Sequence, residues 1–208
     1  MKRIIVPLLA LMFSASVFAQ TPGSGRFGVT GGFTSSSLES SKLELQNVSQ
    51  YHLGLAYKLD LVGGFALQPE ILYNVKGSAL EGHKLDTKVG YVEVPVQIQW
   101  GMDIDKLRPY VFAEPFIGYG VNINSEIGSS YLPSFSLSSD SWDLVKSRLE
   151  YGFGLGAGVD LGVLQVSAKY FRNLGQFYDV ESSIEAIKEL VKDLKSFNGF
   201  AVSVGLFF

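Results

Sequence analysis

Three features of this 208-residue chain predict an all-β fold, an eight-stranded antiparallel up-and-down transmembrane β-barrel with a short helix in its last outer loop. The last nine residues alternate Phe200, Val202, Val204, Leu206 and Phe208 with Ala201, Ser203 and Gly205, so one face is apolar and the other is built from small side chains. Eight segments share this period of two. The links between them alternate long and short, as in outer-membrane barrels, whose long loops lie outside the cell and short turns face the periplasm.

The first 19 residues read as a secretory signal: Lys2 and Arg3, an apolar stretch from Ile4 to Phe13, and Val17-Phe-Ala19 before the expected cut. The apolar stretch is too short to span a bilayer as a helix, which takes about 20 residues. Cleavage would leave residues 20–208 as one domain and reduce the 17 basic residues to 15 against 20 acidic ones. This balance gives no basis for nucleic-acid binding. Without a cysteine the chain can form no disulfide and carry no lipid-modified amino-terminal cysteine.

The strands are expected near 26–34, 50–60, 64–77, 88–101, 109–123, 148–161, 164–174 and 197–208. The short links are 61–63, 102–108 and 162–163; the long ones are 35–49, 78–87, 124–147 and 175–196. In the 148–161 segment Tyr151, Phe153, Leu155, Ala157, Val159 and Leu161 share one face, and Gly152, Gly154, Gly156 and Gly158 the other. Glycine weakens a strand, so four in one register point to a cramped interior where other side chains come close. Eight strands enclose such an interior, only just wide enough for side chains to fill it.

Charge fixes the phase of the remaining strands, because Lys or Arg on the lipid face costs about 2–4 kcal/mol at the midplane. Leu53 and Leu55, Ile71 and Tyr73, and Val92 through Trp100 on even numbers then face lipid. His52, Lys58, Gln68, Glu70, Asn74, Lys76, Glu93, Gln97, Gln99, Glu114, Asn122, Gln165 and Lys169 face inward. The candidate lumen charge network is Lys58, Glu70, Glu93, Glu114, Arg148 and Lys169, with Arg26, Lys76, Asp60, Glu150 and Asp160 on the same surface. Near-equal numbers of both signs are what charge pairing in a polar core requires, so the network is expected to seal the barrel.

Only two histidines occur, His52 and His83, with no cysteine and no close Asp/His spacing beside them, so no metal and no cofactor is expected. A Ser–His hydrolase acting on lipid would need its histidine on the lipid wall, whereas His52 has lumen phase. In the last long link, Ser182-Ser-Ile-Glu185 forms a capping box. Ile184, Ile187, Val191 and Leu194 then lie on one helical stripe opposite charged residues, as a lid over the mouth or a face for a partner. The 124–147 link, with Tyr131, Leu132, Phe135, Leu137 and Trp142 among serines, is expected to fold onto that helix.

Leu67-Gln-Pro-Glu-Ile-Leu-Tyr73 with Lys76-Gly77, Tyr91-Val-Glu-Val-Pro-Val96 and Pro109-Tyr-Val-Phe-Ala-Glu-Pro115 resemble stretches of the PorT-like outer-membrane β-barrel family of Bacteroidetes. Glu114 departs from the glycine that family more often has there. The resemblance implies the barrel fold and an accessory role beside a gliding-associated (type IX) protein secretion machinery, and names no activity.

The expected protein is therefore non-enzymatic, exported to the outer membrane and monomeric. It sits among outer-membrane lipids and lipopolysaccharide, with a structural role or a secretion or surface-assembly partner met by its loops. The alternatives are a lipid-modifying barrel enzyme and a narrow pore.

Overall fold

The computed structural model describes residues 25–38, 45–80, 84–129, 132–137, 148–174 and 197–208. Nine strands follow in chain order: β1 (Gly25–Leu38), β2 (Leu45–Asp60), β3 (Phe65–Leu80), β4 (Lys84–Gly101), β5 (Leu107–Ser129), β6 (Leu132–Leu137), β7 (Leu149–Leu161), β8 (Leu164–Asn173) and β9 (Phe197–Phe207). Eight of them pair in the order β4-β3-β2-β1-β9-β8-β7-β5, and β4 pairs with β5 to close the ring. Every pairing is antiparallel. Closure leaves no open edge around the barrel, which a sheet in lipid requires.

The exterior and interior invert the usual arrangement of a soluble protein. Phe27, Phe33, Leu53, Leu55 and Phe200 are 59–73% exposed on the outside, while Lys58, Gln68, Lys76 and Glu114 are at most 1% exposed inside. Aromatic pairs stand at two levels of the outer wall. Phe27 and Tyr57 have ring centroids 4.5 Å apart near the turn end; Tyr51–Tyr73 at 6.4 Å and Tyr170–Phe200 at 5.1 Å lie toward the loop end. Each pair includes a tyrosine, whose amphipathic ring suits a membrane interface.

The glycine face of β7 meets the rings of β5. A Cβ added at Gly152 would lie 2.7 Å from Phe116 Cζ, one at Gly156 2.4 Å from Phe112 Cζ, and one at Gly158 2.5 Å from the Tyr110 hydroxyl. The rings and the glycines are directly paired, Phe116 with Gly152, Phe112 with Gly156 and Tyr110 with Gly158.

Pro109 stands near the start of β5, and three further prolines, Pro69, Pro95 and Pro115, lie deeper in barrel strands. Proline has no N–H for a ladder, and pairing lapses beside each of these three without a change of register. At the turn end, Gly63 and Gly64 adopt φ of 73° and 80°, and Gly162 one of 66°. Asp105 is the non-glycine residue there with positive φ, 54°, in the Ile104–Leu107 hairpin.

Two expectations are corrected. The stretch from 124 is not wholly a link: β5 runs on to Ser129, and β6 pairs back onto it from Ser125 to Ser129. Likewise β3 and β4 remain paired out to Leu80 and Leu85. Outside the bilayer both faces of a strand are wet, so the alternation that marks a strand in sequence fades while its hydrogen bonds continue. Secondly, Asn122 does not face the lumen. An irregularity opposite Gly90 and Tyr91 shifts the register of β5, and Asn122 is exposed beyond it. The helix expected around Ile184, Ile187, Val191 and Leu194 falls outside the described residues.

Candidate functional site in the barrel lumen

Inward side chains fill the barrel in three levels, the first two joined by hydrogen bonds. At the turn end, the Asp160 carboxylate accepts from both Lys58 and Arg108, the latter at 3.2 Å. Arg108 also donates to Gln99 at 3.2 Å and to the Gly64 carbonyl at 2.9 Å, pinning the β2–β3 turn to the start of β5. Outside this level the half-exposed Arg26 and Asp60 pair at 3.3 Å. Together with Asp103, Asp105 and Lys106 they border an open vestibule of about 620 Å³.

The middle level is made mainly of amides. Gln68 and Gln165 exchange hydrogen bonds of 3.0 and 3.1 Å, and Gln99 donates to Gln68 and Gln97, both at 2.9 Å. Glu70 accepts from Gln68 at 2.7 Å and from Gln97 at 3.1 Å, and Gln165 reaches down to Asp160 at 2.8 Å. Lys169 pairs with Glu114 across the lumen.

At the loop end Lys76 bridges Glu93 and Glu150, each at 2.8 Å. Its ammonium also lies 5.3, 4.7 and 4.9 Å from the ring centroids of Tyr91, Phe116 and Phe171, within cation–π range. Asn74 donates to Glu93 at 3.0 Å and Asn173 to Glu150 at 2.5 Å. One lysine thus ties β3 to β4, β5, β7 and β8.

His52 stands beside this cage, Nδ1 2.9 Å from the Thr34 hydroxyl and Nε2 2.8 Å from Ser203. Thr34 donates to Asn74 at 3.0 Å, so its oxygen is left to accept from Nδ1–H, and Nε2 accepts from Ser203. The Ser–His contact is inside the lumen, and His52 is 4% exposed. His83 falls outside the described residues.

Of the six residues expected to form the charge network, Lys58, Glu70, Glu93, Glu114 and Lys169 are brought together in the lumen. Arg148 is not. It precedes the first residue of β7 and is exposed at the loop-end mouth, where its carbonyl accepts from Gly120 N–H. Its place among the buried cations is taken by Lys76 and Arg108. Arg108 falls in the expected 102–108 link, yet it shares the parity of Tyr110, Phe112 and Glu114, and that alternation extended by one residue points it inward. Among the described residues the buried cations are Lys58, Lys76, Arg108 and the nearly buried Lys169, facing Glu70, Glu93, Glu114, Glu150 and Asp160. Also among the described residues, no three His, Asp or Glu side chains are grouped to hold a metal ion.

A closed antiparallel barrel with an apolar outer wall, aromatic levels at both ends and a packed ionic lumen defines a membrane-spanning barrel of the outer-membrane type. The chain belongs to the outer membrane protein beta-barrel domain family, whose profile matches residues 18–179. Among solved structures it is similar to neisserial surface protein A, at 13% identity over 88% of this chain and 97% of that one, with a TM-score of 0.49. It is also similar to the attachment invasion locus protein Ail of Yersinia pestis, at 13% identity over 89% and 99%, TM-score 0.46. A third is the N-terminal β-barrel domain of Pseudomonas aeruginosa OprF, at 14% identity over 89% and 100%, TM-score 0.36. No curated protein matches the chain.

Proposed function

We propose that this protein is a non-enzymatic outer-membrane barrel that acts as a rigid anchor, presenting its loop-end segments to a partner in a secretion or surface-assembly system. The observation that carries this reading is the lumen. Each buried cation is paired with a carboxylate, Glu70 is held by two amides, and the glutamines interlock, so the interior is spent on holding strands together. The resemblance to PorT-like proteins points the same way for the partner. The long loop-end links and the strands that continue past the barrel supply surface for such a contact.

Replacement of residues 180–195 by a short turn tests the reading, followed by cross-linking and mass spectrometry of the tagged protein in its own membranes. A folded barrel that no longer captures stoichiometric assembly subunits is expected. Capture that survives the replacement would remove the 180–195 segment from the proposal; recovery of the barrel alone from the unmodified protein would remove the partner.

A further inference from the structure

The outer wall of β5 narrows at one place. Its outward residue Ala113 is paired with Ile98 of β4 on one side and Leu155 of β7 on the other, so a methyl group lies between two large side chains. Phe65 and Trp100 continue the β4 side toward the turn end and Val111 stands on the floor beside Ala113, around a surface furrow of about 360 Å³. These five larger side chains are 46–58% exposed. None of the lining residues is charged.

We propose that this furrow seats one acyl chain of a zwitterionic phospholipid of the periplasmic leaflet, with its head group at the Asp103–Lys106 turn. Ridges on β4 and β7 are two strand spacings apart, about 10 Å between centres. An α-helix, 10–12 Å across with its side chains, cannot settle between them, whereas an extended hydrocarbon chain can. The convex wall of a second barrel could reach the floor with a single side chain at most.

Depth agrees with one leaflet. Seven residues separate Lys106 from Ala113, about 23 Å of strand at about 3.3 Å per residue. A tilt of about 45° turns this into roughly 16 Å of depth, about half of the ~30 Å hydrocarbon core. The turn supplies both signs of charge: Lys106 for a phosphate, and Asp103 and Asp105 for an ammonium, all three exposed on the vestibule rim. That combination complements a head group carrying both charges better than a purely anionic one.

Trp100 lies in the furrow and reports on it. The chain has two tryptophans, so Trp142→Phe leaves Trp100 as the sole emitter. The barrel would be reconstituted in equimolar phosphatidylethanolamine and phosphatidylglycerol, with brominated chains on one lipid or the other. Brominated phosphatidylethanolamine is expected to quench Trp100 at least twofold more strongly, with the preference lost in Asp103→Asn/Asp105→Asn/Lys106→Gln. Native mass spectrometry of the detergent-extracted protein should show one retained phosphatidylethanolamine, lost in Ala113→Phe and in the milder Ala113→Leu. Both fill a lipid-facing gap, and a heat-dependent gel shift checks that each barrel is folded. Equal quenching by the two lipids, retention unchanged by both fillings, or a second protein copy in place of the lipid would overturn the proposal.

Discussion

Lys76 is where a single side chain has most to lose. Its side chain is 1% exposed and its ammonium is shared by Glu93 and Glu150, and removing one partner of a buried ion pair typically costs about 3–5 kcal/mol. Lys76→Met is therefore expected to lower unfolding stability by about that amount in detergent titrations. Lys76→Met/Glu93→Gln/Glu150→Gln should recover most of it, because uncharged amides replace the stranded carboxylates; a triple variant no more stable than the single one would sink the account. Gly156 and Gly154 give a second comparison. A Cβ at Gly156 would meet Phe112 Cζ and the Ala168 carbonyl at 2.4 Å, whereas at Gly154 its nearest contact is the Tyr170 carbonyl at 3.3 Å. Gly156→Ala should cost about 1–3 kcal/mol through overpacking and Gly154→Ala clearly less, as read by the same titration. The glycines were legible in sequence as a sign of crowding. Which rings crowd them was not, because the pairing of β5 with β7 across the 124–147 stretch is a tertiary fact.

The strands themselves were legible wherever one face meets lipid and the other meets the lumen, since that contrast writes a period of two into the sequence. It failed where the contrast ends. The outer part of β5 and all of β6 lie past it, and the irregularity at Gly90–Tyr91 reversed the phase of Asn122. Arg148 was misplaced for a related reason: parity says which way a residue would point, not whether the strand has begun. Turns obey stricter chemistry, which makes them testable. Gly64 and Gly162 both have φ near the left-handed region, but a Cβ at Gly64 would meet the Gly101 carbonyl at 2.3 Å, while Gly162 has nothing within 4 Å. Asparagine tolerates that backbone in a two-residue hairpin. Gly162→Asn should therefore shift stability by a few tenths of a kcal/mol, and Gly162→Val by about 1–2 kcal/mol, the usual cost of left-handed backbone. Gly64→Asn should be worse than Gly162→Asn, because space as well as φ is violated there; equal effects in thermal unfolding would show that conformation alone governs these turns.

For the molecule as a whole, the question is whether so polar a lumen conducts. An aqueous path needs room for water along its length, and in the three levels the buried cations and glutamines are bonded to neighbouring side chains instead. Lys58 and Arg108 close on Asp160 at one end, and Lys76 closes on two glutamates within three rings at the other. Between them Lys169 and Glu114 meet across the middle. Opening a passage would require several buried pairs to break together, each leaving charges in a poorly hydrated space. Planar bilayers containing the purified barrel are therefore expected to stay electrically silent over a wide voltage range. Substituting one pair tests whether the seal is collective: Lys169→Met/Glu114→Leu removes the middle pair with apolar volume and should remain silent, because both ends still close. Discrete openings in the unmodified protein, changing in size with Glu93→Gln, would contradict the sealed lumen and make the ion pairs the lining of a pore.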